Sequence, residues 1–157
     1  MQGGSATSIR ANERPILLVG DCLDDVLLTR LAFETAGFSP IVVCNPEHAS
    51  RYLDREDPYT DRAQFPAPRL LVLDLDFPRM TGLNVIARLR LRPEWQRLPA
   101  VVLCNSRQDP AVHRAYELGA EAVLIKPAEF TELVATMKQI GDSWLRRRRP
   151  EQRRIAA

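Results

Sequence analysis

Short aliphatic runs set the rhythm of this chain: Ile16-Leu17-Leu18-Val19, Ile41-Val42-Val43, Leu70-Leu71-Val72-Leu73, Ala100-Val101-Val102-Leu103 and Ala122-Val123-Leu124-Ile125. Runs of this length, bounded by turn signals, read as strands buried on both faces of a parallel sheet. The segments between them carry helix signals. Asp24 and Asp25, ahead of Val26-Leu27-Leu28 and Leu31, supply an N-cap and an acidic first turn for a helix that stops near Gly37. Pro46 and Glu47 open a second helix, and residues 56–69, rich in Asp, Pro and Arg, form a long loop. A third helix runs from Gly82 to Leu91 with Leu83, Ile86, Ala87 and Leu89 inward, and Pro93 and Trp95 lie in the connection after it. Asp109 caps a fourth helix with Pro110 at its first position, and Gly119 ends it. From about Glu129, Phe130, Leu133, Val134, Met137, Ile140 and Trp144 recur at helical spacing. Strands alternating with helices predict an α/β fold, a doubly wound five-stranded parallel sheet with five helices over its two faces.

Residues 1–13 are small and polar and read as a disordered start, 14–145 as one domain, and 146–157 as an arginine-rich tail. No apolar run approaches a membrane span and the N-terminus lacks a signal-peptide pattern, so the expectation is a cytoplasmic protein with no membrane partner. Cys22, Cys44 and Cys104 are odd in number and scattered, which suits free thiols in a reducing compartment. The net charge of +2 hides a split: the tail from Leu145 holds six arginines and one glutamate, leaving the body at −3. A solvated tail at a helix C-terminus is the leading reading. Nucleic acid is disfavoured as a partner because no aromatic interleaving or known motif accompanies the arginines.

The chemistry lies at the strand ends. The first run ends at Asp21, the third at Asp74, the fourth in Cys104-Asn105-Ser106 and the fifth at Lys126. In a parallel sheet these ends share one edge, the edge where open α/β sheets bind ligands. Two close carboxylates repel unless a cation lies between them, and Mg²⁺ prefers such all-oxygen donors. A lysine opposite is a ready counter-ion for a phosphoryl group. Asp74, closing the most apolar run, is the first candidate for a reactive residue.

Taken in register, the acid after the first strand, Asp74 with Pro78 four residues on, Gly82-Leu83 opening a helix, the small polar cluster after strand four and Lys126-Pro127 resemble the receiver domain of two-component response regulators. Asp24-Asp25-Val26-Leu27-Leu28-Thr29-Arg30, Arg114-Ala115-Tyr116-Glu117-Leu118-Gly119-Ala120 and Ile140-Gly141-Asp142-Ser143-Trp144-Leu145 are similar to stand-alone regulators that accompany phytochrome-type sensor kinases. The resemblance implies a flavodoxin-like strand order 2-1-3-4-5. It implies Asp74 as phosphoacceptor from a sensor histidine kinase. Mg²⁺ would be held by Asp21, Asp74 and the backbone carbonyl of Asp76, with Lys126, Cys104 and Asn105 on the phosphoryl side. It further implies a cis Lys126–Pro127 bond, signalling by protein contacts rather than enzymatic turnover, and a twofold homodimer through the fourth helix, fifth strand and fifth helix.

Three positions depart from the family pattern. Gly20 stands where a second acid is usual, and losing an outer-shell group of that kind typically weakens metal binding by about 10–100-fold. Cys104 replaces the switch hydroxyl and donates hydrogen bonds poorly. Val123 replaces the switch aromatic. These departures support an alternative, a degenerate receiver that binds partners without being phosphorylated. A phosphatase reading of Asp74-Leu75-Asp76 as a D-x-D nucleophile motif is opposed by its place on the third strand, by Pro78 and by the lack of a cap domain. His48 and His113 read as isolated surface residues, Asp24 as near enough in sequence to reach the metal shell, and Trp144 as either core or dimer contact.

Overall fold

The computed structural model describes residues 15–20, 23–74, 83–106 and 110–145. Residues 1–13, Asp21, Cys22, Asp76, Gly82, Asp109 and the arginine tail, all of which figure in the sequence reading, lie outside them. The strands are β1 (Ile16–Gly20), β2 (Ile41–Val43), β3 (Leu70–Asp74), β4 (Ala100–Cys104) and β5 (Ala122–Ile125). The helices are α1 (Leu23–Thr35), α2 (Pro46–Asp54), α3 (Asn84–Arg90), α4 (Pro110–Leu118) and α5 (Phe130–Trp144). The strands form one parallel sheet in the order β2-β1-β3-β4-β5, the flavodoxin-like order that the resemblance implies.

β1, β3 and β4 are buried along their whole length, which is why they read as continuous aliphatic runs. Their alternate residues feed two cores. Leu17, Val19, Leu71, Leu73, Ala100 and Val102 pack with Ala49, Tyr52 and Leu53 of α2, Val85, Ile86 and Leu89 of α3, and Ala111 and Ala115 of α4. Ile16, Leu18, Leu70, Val72, Val101 and Leu103 pack on the other face with Val26, Ala32 and Phe33 of α1 and Leu133, Met137 and Ile140 of α5. Trp144, half-buried, packs against this second core. α1 lies against α5, and Gly141 of α5 makes room for Phe38, three residues past α1: a Cβ there would sit 2.2 Å from the Phe38 ring. Phe38 in turn meets Phe33 edge-on, with centroids 6.4 Å apart.

Several local expectations change. α1 begins at Leu23, so Asp24 and Asp25 both lie inside the first turn, neither as N-cap. There they still offset the helix dipole. In α3, Val85 is buried with Ile86 and Leu89, and Ala87 is only half-buried, so the inward face includes Val85 in place of Ala87. His48 is not isolated: its Nδ1 is 2.8 Å from the Tyr59 hydroxyl. Tyr59 belongs to an aromatic cluster with Tyr52 and Phe65 that pins the long loop over α2. In that loop Arg62 donates to the carbonyls of Tyr52, Leu53 and Phe65, satisfying the C-terminal end of α2. His113 is exposed, as expected, 3.0 Å from Glu117. Arg90 closes α3 by donating to the carbonyls of Trp95, Gln96, Leu98 and Gly119, a four-way tie that the sequence does not advertise.

The Phe38–Gly141 contact yields a direct test. Gly141→Ala gains helix propensity but drives a methyl into a buried ring. It is expected to lower stability by about 1–3 kcal/mol, measured by chemical denaturation. Adding Phe38→Leu should recover part of the loss, so the double-mutant cycle is non-additive. Additive effects would mean that the ring does not carry the clash.

Candidate functional site

Asp74 is the last residue of the central strand and is 2% exposed. A carboxylate so deeply placed needs donors for its oxygens. Lys126 supplies one: its Nζ lies 2.7 Å from Asp74 Oδ1, with side-chain exposures of 14% and 1%. β5 is separated from β3 by β4, so the lysine spans the end of an intervening strand. It is aimed by its own N–H, which donates to the Cys104 carbonyl at 2.7 Å and continues the ladder one residue past β5. This extension orients Lys126 with a trans Lys126–Pro127 bond. The cis expectation is therefore corrected, and the cis proline among the described residues follows Asp57.

The second donor is Thr29 on α1. Its Oγ1 lies 2.5 Å from Asp74 Oδ2, and the residue is fully buried. Sequence reading passed over it. The available signal is a hydroxyl falling in the Val26–Phe33 stripe that α1 turns toward the sheet. Asp25, one turn earlier and half-buried, is felt by Asp74 as a like charge, whereas Asp24 is exposed.

Register brings Gly20 of β1 level with Asp74. A Cβ at Gly20 would sit 2.8 Å from Val26 Cβ and Cγ2 and 3.1 Å from the Asp74 carbonyl. The missing acid is thus matched by packing: Val26 occupies the space where its side chain would begin. Cys104 is buried, with Sγ 3.5 Å from the Ser106 carbonyl, and Asn105 beside it is exposed. Val123 is half-buried against the α2–α3–α4 core. Its N–H donates to the hydroxyl of Tyr116, an exposed tyrosine on α4, at 3.1 Å. Asp74 and Lys126 are thereby brought together, Cys104 and Asn105 lie at the adjacent strand end, and Asp21 follows Gly20 directly in the chain. Among the described residues, no group of three or more His, Cys, Asp or Glu is placed to hold a metal.

Burial pushes the Asp74 carboxyl above the ordinary carboxylate range. The Lys126 charge, with hydrogen bonds from Lys126 and Thr29, pulls it back only in part, and Asp25 adds to the push. Folding therefore costs more for the ionised carboxylate than for the neutral carboxyl. Wild-type stability is fullest below the ordinary value of about 4 and falls as pH rises through the raised one. Asp74→Asn is neutral throughout and lacks this fall. In EDTA-containing buffer its Tm relative to wild type is expected to rise with pH above about 4 and then level off. Thermal melts across pH check this, and a difference that shrinks with rising pH contradicts it.

Comparison with known proteins places the chain in a family. Residues 16–138 match the response regulator receiver domain family. The response regulator Rcp1 of Synechocystis is 30% identical over 132 residues, which cover 83% of this chain and 88% of the relative. Among solved structures, a Mn²⁺-bound form of response regulator Rcp1 superposes with a TM-score of 0.71 at 28% identity, over 87% of this chain and 97% of that one. The phosphorylated cyanobacterial phytochrome response regulator RcpA gives a TM-score of 0.71 at 28% identity over 84% of this chain and 94% of that one. Response regulator RPA3017, in red light signalling of R. palustris, gives 0.75 at 26% identity over 83% and 93%. With a central-strand aspartate paired to a lysine beyond the fifth strand, and with these relatives, the chain belongs to the response regulator receiver domain family and is related to the phytochrome response regulators.

Proposed function

We propose that Asp74 accepts a phosphoryl group from a sensor histidine kinase of the phytochrome type and that the protein signals through contacts with other proteins. The observation that carries this reading is the buried Asp74–Lys126 pair at 2.7 Å. In the reaction one Asp74 carboxylate oxygen forms a bond to phosphorus while the phosphohistidine P–N bond breaks. The imidazole leaves, taking a proton from solvent, and an acyl phosphate remains on Asp74. Lys126 holds the carboxylate before transfer and offsets the phosphoryl charge after it. The packed helices exclude water from the carboxylate, so its attraction to the lysine is little screened.

A divalent cation fits the donor chemistry. Asp74, Asp21 and the Asp76 carbonyl are oxygen donors of the kind that Mg²⁺ selects, and one lysine does not balance the acids at this edge. When bound, Mg²⁺ would neutralise charge building on the phosphoryl oxygens. Gly20 withholds one acid from this set, so Mg²⁺ affinity is expected to be low. The same position favours the alternative reading, a receiver that binds partners without being phosphorylated, because Val26 leaves no room for a side chain there.

The contact surface we propose for a second copy of the chain is α4–β5–α5. β5 is an edge strand, and Ile125 and Tyr116 are exposed beside it, although Trp144 packs, half-buried, against the core. Pairing through that surface would give a twofold dimer. We place the protein in the cytoplasm with its kinase, and no helix among the described residues is long and apolar enough to cross a membrane.

Intact-protein mass after incubation with acetyl phosphate and Mg²⁺ tests the central reading. Wild type should gain one phosphoryl group, Asp74→Asn none, and excess EDTA should abolish the gain. Equal gain in Asp74→Asn would move the phosphoacceptor elsewhere. Absence of any gain, with the kinase supplied as well, would establish the phosphorylation-independent reading. Sedimentation velocity over a range of concentrations should show self-association, and a concentration-independent monomer would remove the dimer.

A further inference from the structure

Thr29 is a polar residue on an otherwise apolar face. Val26, Thr29, Ala32 and Phe33 of α1 are all fully buried. Valine has nearly the shape of threonine, so packing alone does not call for the hydroxyl, and a buried hydroxyl without a partner is costly. Two acceptors are within reach: Asp74 Oδ2 at 2.5 Å and, one helical turn back, the Asp25 carbonyl at 3.1 Å. A hydroxyl donates one hydrogen, and the nearer, ionised oxygen is the stronger acceptor. The neutral Asp25 carbonyl is a second resting place.

The two oxygens of Asp74 are thus held by different elements. Oδ1 is tied to Lys126 beyond β5, and Oδ2 to Thr29 on α1. When one oxygen bonds to phosphorus, as the donor's bond to phosphorus breaks and its leaving group departs, the carboxylate becomes an acyl phosphate. Its negative charge passes to the phosphoryl oxygens. Lys126, a long and flexible cation, can follow that charge. The Thr29 hydroxyl, fixed to a packed helix, instead loses a charged acceptor. What remains on Asp74 is at best a neutral acyl carbonyl, no stronger an acceptor than the Asp25 carbonyl, so the hydroxyl shifts toward Asp25 or draws α1 toward a phosphoryl oxygen. β4 ends in the Cys104 thiol, a weak donor set 3.5 Å from the Ser106 carbonyl. The outer face of α1 carries Leu27, Leu28 and Leu31, which are 41%, 44% and 50% exposed. A change in α1 therefore reaches an apolar surface open to a partner.

We propose that Thr29 senses phosphorylation of Asp74 through the hydroxyl it donates to Oδ2, and that α1, with its exposed leucines, is the element that carries the change outward. This rests on Asp74 being the phosphoacceptor. The test compares ¹⁵N-labelled wild type, Thr29→Val and Thr29→Ser, with and without acetyl phosphate and Mg²⁺, at equal phosphoryl occupancy read from intact mass. Valine removes the hydroxyl and keeps the shape; serine keeps the hydroxyl and removes the methyl. The amide signals of residues 24–35 should move on phosphorylation in wild type and in Thr29→Ser, and lose most of that movement in Thr29→Val. An α1 response in Thr29→Val equal to wild type overturns the proposal. So does its loss in Thr29→Ser as well as Thr29→Val, which would mark a packing role, and so does failure of Thr29→Val alone to take up a phosphoryl group, which would place the hydroxyl in the transfer. Phosphorylated wild type with a still α1 overturns this inference and leaves the phosphoacceptor reading standing. Absence of phosphoryl uptake by wild type overturns both.

Discussion

A carboxylate buried at the end of the central strand is the constraint around which this molecule is arranged. Asp74 is nearly inaccessible, and an ionised group in such a place persists only where donors converge on it. Lys126 and Thr29 provide them from two sides, one from beyond the edge strand and one from the helix after the first strand. Even so, burial outweighs them and the carboxyl is held above its ordinary range. The fold therefore stores an unfavourable charge at the residue we propose as phosphoacceptor, a trade that is common at functional sites.

The surrounding architecture serves that placement. Parallel pairing in the order β2-β1-β3-β4-β5 sets Gly20 level with Asp74 and Cys104 level with Ile125, so the strand ends meet on one edge. The two cores then position the donors. α1 and α5 pack on one face, with Phe38 beyond α1 set against Gly141, and α1 carries Thr29 to Asp74. On the other face the Arg90 tie joins α3, the turn at Trp95 and the end of α4, and Tyr116 of α4 covers a backbone N–H of β5, the strand that ends one residue before Lys126.

The strands, their parallel arrangement and the placing of Asp74 and Lys126 at strand ends on one edge were legible because each depends on local pattern: continuous aliphatic runs for doubly buried strands, and charged residues at their C-terminal ends. Thr29 was not legible in the same way. Its signal is a single hydroxyl within a helix, and threonine at a core position often merely bonds its own helix backbone, as its 3.1 Å approach to the Asp25 carbonyl allows. The expected cis Lys126–Pro127 bond is trans, and residue order does not settle it because an X–Pro bond can take either isomer. His48 was misread as isolated because its partner, Tyr59, comes from a loop whose path depends on the aromatic cluster and on Arg62.

By itself, then, the sequence determined the α/β class, the positions of the strand ends and the identity of the residues at the reactive edge, since these follow from periodicity and from which residues terminate apolar runs. Only the tertiary structure decided which of those residues touch. That Val26 fills the space beside Gly20, that Thr29 rather than an acid meets the free oxygen of Asp74, and that Lys126 crosses the end of β4 all depend on how α1 and β5 settle against the central strand. Close packing fixes such contacts to within an ångström between residues far apart in the chain, and no local pattern encodes a distance across the sheet.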